Sequence, residues 1–143
     1  MRRIPSHHSS DESGPQLPHA RLTRDIIGVF FDVYNDLAPG LPEQVYRSAM
    51  EIVFNERGFQ AESEVKLEVH YHGHHIGSYR ADMIVEKRVL LELKAGALRP
   101  PGAKAQLINY LRLSGLEVGL LLFSGPDPEF WRVIASRAGN DGQ

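Results

Sequence analysis

The chain has 143 residues, a formal net charge of −2 and no cysteine, which excludes disulfides, cysteine-ligated zinc and thiol nucleophiles. Its 42% hydrophobic and 24% charged residues are typical of a globular protein, and the near-neutral charge excludes a global attraction to nucleic acid. No apolar run approaches the roughly 18 residues that cross a bilayer, and the N-terminus lacks the apolar stretch of a secretory signal. These features predict a cytoplasmic protein without a membrane partner.

The composition divides the chain into one domain and two ends. Residues 1–20 are rich in Pro, Ser and His and carry few large apolar side chains, which predicts a flexible leader. Residues 137–143 are expected to form a frayed C-terminus. The folded domain is therefore expected over residues 21–136.

Two helices are expected at the start of this domain. Apolar residues at three- and four-residue spacing predict a helix over 22–37, with Thr23 as its N-cap and Asp25 in its first turn. A second helix is expected over 42–57, ended by Gly58, because glycine suits the left-handed position after a helix. The predicted apolar stripe of the second helix is Val45, Ala49, Ile52 and Val53.

The apolar period then changes to two, which is typical of strands. The pattern predicts, in order, strands over 64–71, 76–85 and 89–94, a helix over 103–114 and a buried strand over 118–123. Residues 130–134 are expected to form a further short strand or helix. The expected fold class is therefore α/β, with a mixed sheet flanked by helices.

Two acidic residues and a lysine are expected to converge on one hairpin. If the strands over 76–85 and 89–94 turn around Lys87, then Asp82 lies directly opposite Glu92 on the same face. Lys94 points to that side too, because it lies two residues beyond Glu92. The opposite face receives only apolar side chains, namely Met83, Val85, Val89, Leu91 and Leu93.

This hairpin admits a chemical and a structural interpretation. Opposed carboxylates repel, and a hard divalent cation such as Mg²⁺ removes that penalty while keeping waters for a phosphate substrate. Lys94 would then orient a water or stabilise charge on the phosphate. The structural alternative is a solvated surface triad in which Lys94 neutralises Asp82 and Glu92, contributing about 0–1 kcal/mol.

Four motifs in order give the chain a family resemblance. They are G-x-x-E-x-x-Y at 40–46, R-A-D at 80–82, E-L-K at 92–94 and Q-L-I-N-Y-L at 106–111. With these motifs the chain resembles the GxxExxY protein family of the PD-(D/E)XK nuclease superfamily. The resemblance implies a restriction-endonuclease-like αβββαβ core.

The resemblance also implies a nuclease site that uses Mg²⁺ or Mn²⁺. It carries over Asp82 and Glu92 as metal ligands, Lys94 as the catalytic lysine and Glu43 as an additional acidic residue at the metal. Alternatively, Glu43 only stabilises the helix dipole from the first turn of its helix.

Three further residues are expected to bind substrate. Gln106 and Tyr110 resemble the Q-x-x-x-Y element of RecB-type nucleases, and Arg80 belongs to the R-A-D motif. Since Gln106 and Tyr110 are four residues apart, they share a helical face, where an amide and a phenol suit a phosphate and a base. The alternative is a buried Tyr110 beside a solvated Gln106.

One predicted hairpin is crowded with four histidines, namely His70, His72, His74 and His75. This crowding is typical of either a zinc site or a polar hairpin tip.

The expected function is therefore hydrolysis of nucleic-acid phosphodiester bonds, with DNA as the expected substrate. Residues 80–112 contain seven basic and three acidic side chains, an excess that suits phosphate binding. The alternative is a non-catalytic module of the same fold that binds or assembles with a protein partner. A homo-oligomer is a further option that the sequence leaves open.

Overall fold

The computed structural model describes residues 17–135, which contain three helices and one five-stranded sheet. In chain order the elements are α1 (Ala20–Leu37), α2 (Glu43–Glu56), β1 (Ala61–Tyr71), β2 (His74–Val85), β3 (Val89–Ala95), α3 (Ala103–Ser114), β4 (Val118–Ser124) and β5 (Pro128–Ile134). The predicted frayed end and residues 1–16 of the predicted leader lie outside the described residues. No helix within residues 17–135 is long and apolar enough to cross a membrane.

The first helix begins earlier than the sequence predicted, so the expected cap is wrong. His19 precedes the helix, and no side chain caps it. Thr23 lies inside the helix, where its hydroxyl donates to the carbonyl of Ala20 (2.9 Å) and accepts from the Arg132 guanidinium of β5 (3.0 Å). Since the helix starts at Ala20, Asp25 lies beyond the first turn and does not meet the helix dipole there.

The second helix buries a face that overlaps only in part with the predicted stripe, since Ala49 and Val53 pack against the core but Val45 and Ile52 are exposed. Val45 and Ile52 are 40% and 58% exposed, whereas Tyr46, Met50 and Phe54 are almost fully buried. The three buried residues are also four apart, so they form an equally regular stripe rotated by about one residue. The rotation favours folding because it buries the larger side chains and so removes more apolar area from water.

Tyr46 fixes the loop that leads into α2. Its hydroxyl donates to the carbonyl of Ala38 (2.6 Å) and accepts from the N–H of Leu41 (3.3 Å), which closes the turn between α1 and α2. Pro42 has an extended conformation, so the helix begins at Glu43 rather than at Pro42. Gly58 follows the helix with φ of 84°, as the sequence predicted.

The five strands form one mixed sheet in the order β1-β2-β3-β4-β5. Neighbouring strands are antiparallel except β3 and β4, which are parallel and joined through α3. Residues 130–134 belong to β5, so the strand interpretation of this segment is correct. The predicted α/β class with a mixed sheet flanked by helices is confirmed.

Each face of the sheet has its own hydrophobic core. The first core joins α1 and α2 to the sheet and contains all five apolar residues that were expected behind the carboxylates, namely Met83, Val85, Val89, Leu91 and Leu93. The second core joins α3 to the opposite face, where Leu107 and Leu111 pack with Ile84 and Leu90. The acidic pair is thus supported from behind by the first core.

Strands β1 and β2 change face at the level of Asp82. In β2, Ala81 belongs to the α3 core and Met83 to the α1–α2 core, although residues two apart normally share a face. In β1, Ala61 and Val65 divide between the cores in the same way. Glu64 lies between Ala61 and Val65, opposite Asp82, and its φ of 54° marks the place where the strand changes face, while the register of β1 with β2 is the same on both sides.

The Tyr46 hydroxyl is expected to contribute measurably to stability. Tyr46→Phe leaves the ring in place but removes the hydroxyl that donates to Ala38 and accepts from Leu41, so we expect the free energy of unfolding to fall by about 1 kcal/mol. Urea denaturation followed by circular dichroism measures this change. Tyr71→Phe is the matched control, because Tyr71 is 63% exposed; equal stability of the two variants would contradict the structural role of Tyr46.

Candidate active site

Strands β2 and β3 separate at the point where the two predicted carboxylates meet. The backbone pairing of β2 with β3 ends at Met83 and Leu91, and the next residues in that register are Asp82 and Glu92. The N–H of Asp82 donates to Glu92 Oε1 (3.2 Å), and the N–H of Leu93 donates to Asp82 Oδ2 (2.7 Å). The expected register is therefore confirmed, and main-chain amides that would otherwise pair the strands hold the two carboxylates.

Both carboxylates are substantially withdrawn from water. The Glu92 side chain is only 4% exposed, and burial together with the nearby Asp82 carboxylate raises its pKa to about 8. Burial also raises the pKa of Asp82, an effect that the hydrogen bond from Leu93 opposes. A solvated surface triad does not fit this arrangement, because its acidic members would lie in water.

Lys94 lies beside Glu92, as the sequence predicted. Its Nζ is 4.0 Å from Glu92 Oε2, and its side chain is 22% exposed. The ammonium lowers the pKa of both Asp82 and Glu92, but burial has the larger effect on each group. The amine is therefore close enough to interact with both carboxylates and open enough to meet a ligand.

Glu43 reaches the same site from α2. Burial and the Asp82 charge raise the pKa of Glu43, while Lys94 and Arg47 lower it. Glu43 is therefore within electrostatic range of the hairpin residues. Within residues 17–135, however, no three His, Asp or Glu side chains are grouped closely enough to hold a metal ion. The ligand role of Glu43 stays a prediction.

Asp82 and Glu92 together suit a hard divalent cation. Carboxylate oxygens are the ligands that Mg²⁺ prefers, and one or two protein carboxylates are its usual number, with waters completing the shell. A cation between them would also offset the electrostatic cost of two adjacent, desolvated acids. The donor set therefore fits the expected Mg²⁺ or Mn²⁺.

The predicted substrate-binding pair lies on α3, facing the site. Gln106 Nε2 donates to the hydroxyl of Tyr110 (3.2 Å). Burial and the charges of Glu92 and Asp82 raise the pKa of Tyr110, which places its phenol in the field of the two carboxylates. Tyr110 is 8% exposed, so it also belongs to the α3 core.

Arg80 lies apart from this group. Its side chain is 66% exposed and its guanidinium is 3.9 Å from Glu64. The same Glu64 carboxylate is 3.4 Å from Arg47, a residue of α2 that the sequence reasoning missed. Arg47 follows Glu43 by four residues, and this helical spacing was the available signal that both share one face.

The histidines of the β1–β2 hairpin do not form a metal cluster. Among the described residues, no three potential metal-binding side chains converge there. His75 contacts Glu68 instead, and the rings of His70 and His75 are 5.4 Å apart at their centroids. The expected alternative of a polar hairpin tip describes these residues.

The raised pKa of Glu92 predicts a pH-dependent cost to stability. Without metal, the folded protein holds the Glu92 proton up to pH of about 8, whereas an unfolded chain releases it near 4.5. Stability should therefore fall as pH rises from about 4.5 to 8. Glu92→Gln abolishes this loss and should stabilise the protein above pH 8 by at most about 5 kcal/mol.

Thermal unfolding in EDTA from about pH 5 to about pH 9, which covers most of the interval between the unfolded and folded pKa values of Glu92, measures the difference. Glu56→Gln, at an exposed position of α2, is the control. A constant difference between Glu92→Gln and wild type across this range would contradict the raised pKa.

Comparison with known proteins gives a match to a protein family and similarities to solved structures. The family model for the PD-(D/E)XK nuclease superfamily matches residues 20–133. The crystal structure of SSO0001 is 21% identical with a TM-score of 0.50, and the match covers 67% of this chain and 52% of that one. The chain thus spans about half the length of SSO0001. No curated protein matches.

The second likeness is to an alkaline exonuclease (LHK-Exo) from Laribacter hongkongensis, at 9% identity and a TM-score of 0.49. That match covers 92% of this chain and 77% of the exonuclease. At 21% identity, the likeness to SSO0001 shows the fold alone. The family match covers most of the chain, and the chain therefore belongs to the PD-(D/E)XK nuclease superfamily.

Proposed function

We propose that this protein is a divalent-metal-dependent nuclease that hydrolyses phosphodiester bonds in nucleic acid, with DNA as its substrate. The observation that carries the proposal is the pair of desolvated, opposed carboxylates with Lys94 beside them where β2 and β3 separate. Two buried acids are costly to a fold, and an ion-binding role explains why they lie together.

In this proposal Asp82 and Glu92 hold Mg²⁺ or Mn²⁺. The ion, when bound, polarises a phosphoryl oxygen and lowers the pKa of a water. The main-chain hydrogen bonds from Leu93 to Asp82 and from Asp82 to Glu92 fix both carboxylates before substrate arrives. Such preorganisation reduces the reorganisation needed in the transition state.

The remaining polar groups orient the substrate around this pair. The ammonium of Lys94 positions the attacking water and stabilises negative charge on the phosphate. Glu43 assists from the start of α2, where its charge acts on Lys94. The Gln106 amide and the Tyr110 hydroxyl contact the phosphate and base next to the scissile bond.

Substitution of the proposed machinery should remove cleavage without unfolding the protein. Asp82→Asn keeps an oxygen that can accept from Leu93 but removes the charge, and Lys94→Ala removes the ammonium. For each variant we expect at least about 10²-fold slower cleavage of linear DNA with Mg²⁺ or Mn²⁺. Gel analysis of end-labelled DNA measures the rate, and circular dichroism verifies the fold.

Matched variants complete that experiment. Glu56→Gln and Lys87→Ala change exposed residues away from the carboxylates and should cleave at the wild-type rate. Wild-type cleavage by Asp82→Asn and Lys94→Ala would show that the roles are wrong. A wild-type protein that binds DNA but does not cleave it would favour the non-catalytic module.

Metal binding should be visible without any substrate. Because an ion that binds only the folded state stabilises it by mass action, Mn²⁺ should raise the melting temperature of the wild type above its value in EDTA. The increase should disappear in Asp82→Asn and persist in Glu56→Gln. Differential scanning calorimetry checks this, and an equal increase in Asp82→Asn would place the ion elsewhere.

A further inference from the structure

A cavity opens next to the carboxylate pair, on the face of the sheet that α3 covers. It has a volume of about 350 Å³, and its walls come from β3, the segment before α3, the first turn of α3, β4 and β5. The side chains that define this Trp131 cavity are Lys94, Arg99, Lys104, Leu121, Phe123 and Trp131. Leu121 and Phe123 are buried, so an apolar floor lies below three cations.

The strand register places this cavity beside the proposed reaction centre. Glu92 pairs with Leu121 across β3 and β4, and Leu121 pairs with Trp131 across β4 and β5. Glu92, Leu121 and Trp131 therefore lie in one row across three strands. At the usual strand spacing, the backbones of Glu92 and Trp131 are about 10 Å apart. Lys94 belongs to both places, since it lies beside Glu92 and also lines the cavity.

Arg99 lies over the ring of Trp131 at one side of the cavity. The guanidinium carbon of Arg99 is 5.2 Å from the centroid of the Trp131 ring. Two nitrogens of the guanidinium donate to the two oxygens of Glu129 (3.0 and 3.1 Å), which fixes its position. Because Glu129 offsets the charge of Arg99, the contribution of Arg99 and Trp131 to ligand binding is stacking rather than attraction of an anion.

Lys104 supplies the charge at the other side. It is exposed in the first turn of α3, where the positive end of the helix dipole adds to its field. A ligand that fits the whole cavity therefore needs a flat ring for Arg99 and Trp131 and a negative group for Lys104. A nucleotide has both parts, and stacking with a neighbouring cation is how proteins hold single-stranded nucleic acid.

We propose that the Trp131 cavity binds one unpaired nucleotide of the substrate strand, next to the phosphate at Asp82 and Glu92. This proposal rests on the nuclease function proposed above. The base packs against Trp131 and Arg99, and its phosphate contacts Lys104. The base is unpaired because the cavity, which is partly open to solvent, has a volume near the lower end for small-ligand sites and so accommodates one nucleotide rather than a base pair.

The single tryptophan of the chain makes this proposal directly measurable. Since Trp131 is the only tryptophan, fluorescence excited at the red edge of the tryptophan band, where the five tyrosines do not absorb, reports on the cavity alone. We expect single-stranded oligothymidylate to quench this fluorescence saturably in EDTA, where cleavage cannot occur. The same strand annealed to oligodeoxyadenylate should bind about tenfold more weakly, since one stacked base contributes about 1–3 kcal/mol.

Variants separate this cavity from general attraction to the protein. Lys104→Gln removes the proposed phosphate contact and should weaken binding of labelled oligothymidylate, measured by fluorescence anisotropy, by about 5-fold or more. Arg88→Gln is the matched control, because Arg88 is an exposed cation in the β2–β3 turn, away from the cavity. It should bind like the wild type.

Each contrary result has a distinct meaning. Unchanged tryptophan fluorescence while anisotropy saturates would place the strand elsewhere and overturn the proposal, as would the absence of binding. Equal affinity for the duplex, or equal binding by Lys104→Gln and Arg88→Gln, would overturn it as well. Quenching by oligothymidylate without cleavage in Mg²⁺ or Mn²⁺ would instead count against the nuclease function and leave the cavity assignment standing.

Discussion

The arrangement of the molecule depends on two carboxylates that are held in a poorly solvated place by main-chain amides. Asp82 and Glu92 lie where the β2–β3 ladder stops, and each accepts a hydrogen bond from the backbone across the gap. Burial alone would favour neutral acids, as the raised pKa of Glu92 shows. The surrounding packing must supply the free energy that keeps these two acids together.

That free energy comes from both faces of the sheet. Met83, Leu91 and Leu93 flank the acidic residues in sequence and are almost fully buried against α1 and α2. On the other face, Tyr110 of α3 is buried in the second core and lies within electrostatic range of Glu92. The same packing that makes the site costly also excludes solvent, which strengthens electrostatic interactions with any ion or phosphate that enters.

Much of this arrangement follows from local sequence pattern. Four strands, the three helices and the opposition of Asp82 to Glu92 are predictable because apolar periodicity marks the elements and turn length fixes the register of a short hairpin, whereas the pattern of residues 130–134 fits a strand or a helix. The buried face of α2 is not, because two stripes of equal period compete and only tertiary packing selects Tyr46 over Val45. The approach of Arg47 to Glu64 also depends on contacts between distant segments.

The change of face of β1 and β2 at the level of Asp82 has a consequence for how the protein unfolds. Because each of these strands contributes side chains to both cores, neither strand can detach from the sheet without exposing part of each core. Layers joined in this way are expected to melt as one cooperative unit rather than as separate foldons. The distortion opposite Asp82 thereby ties the integrity of the acidic pair to the global stability of the domain.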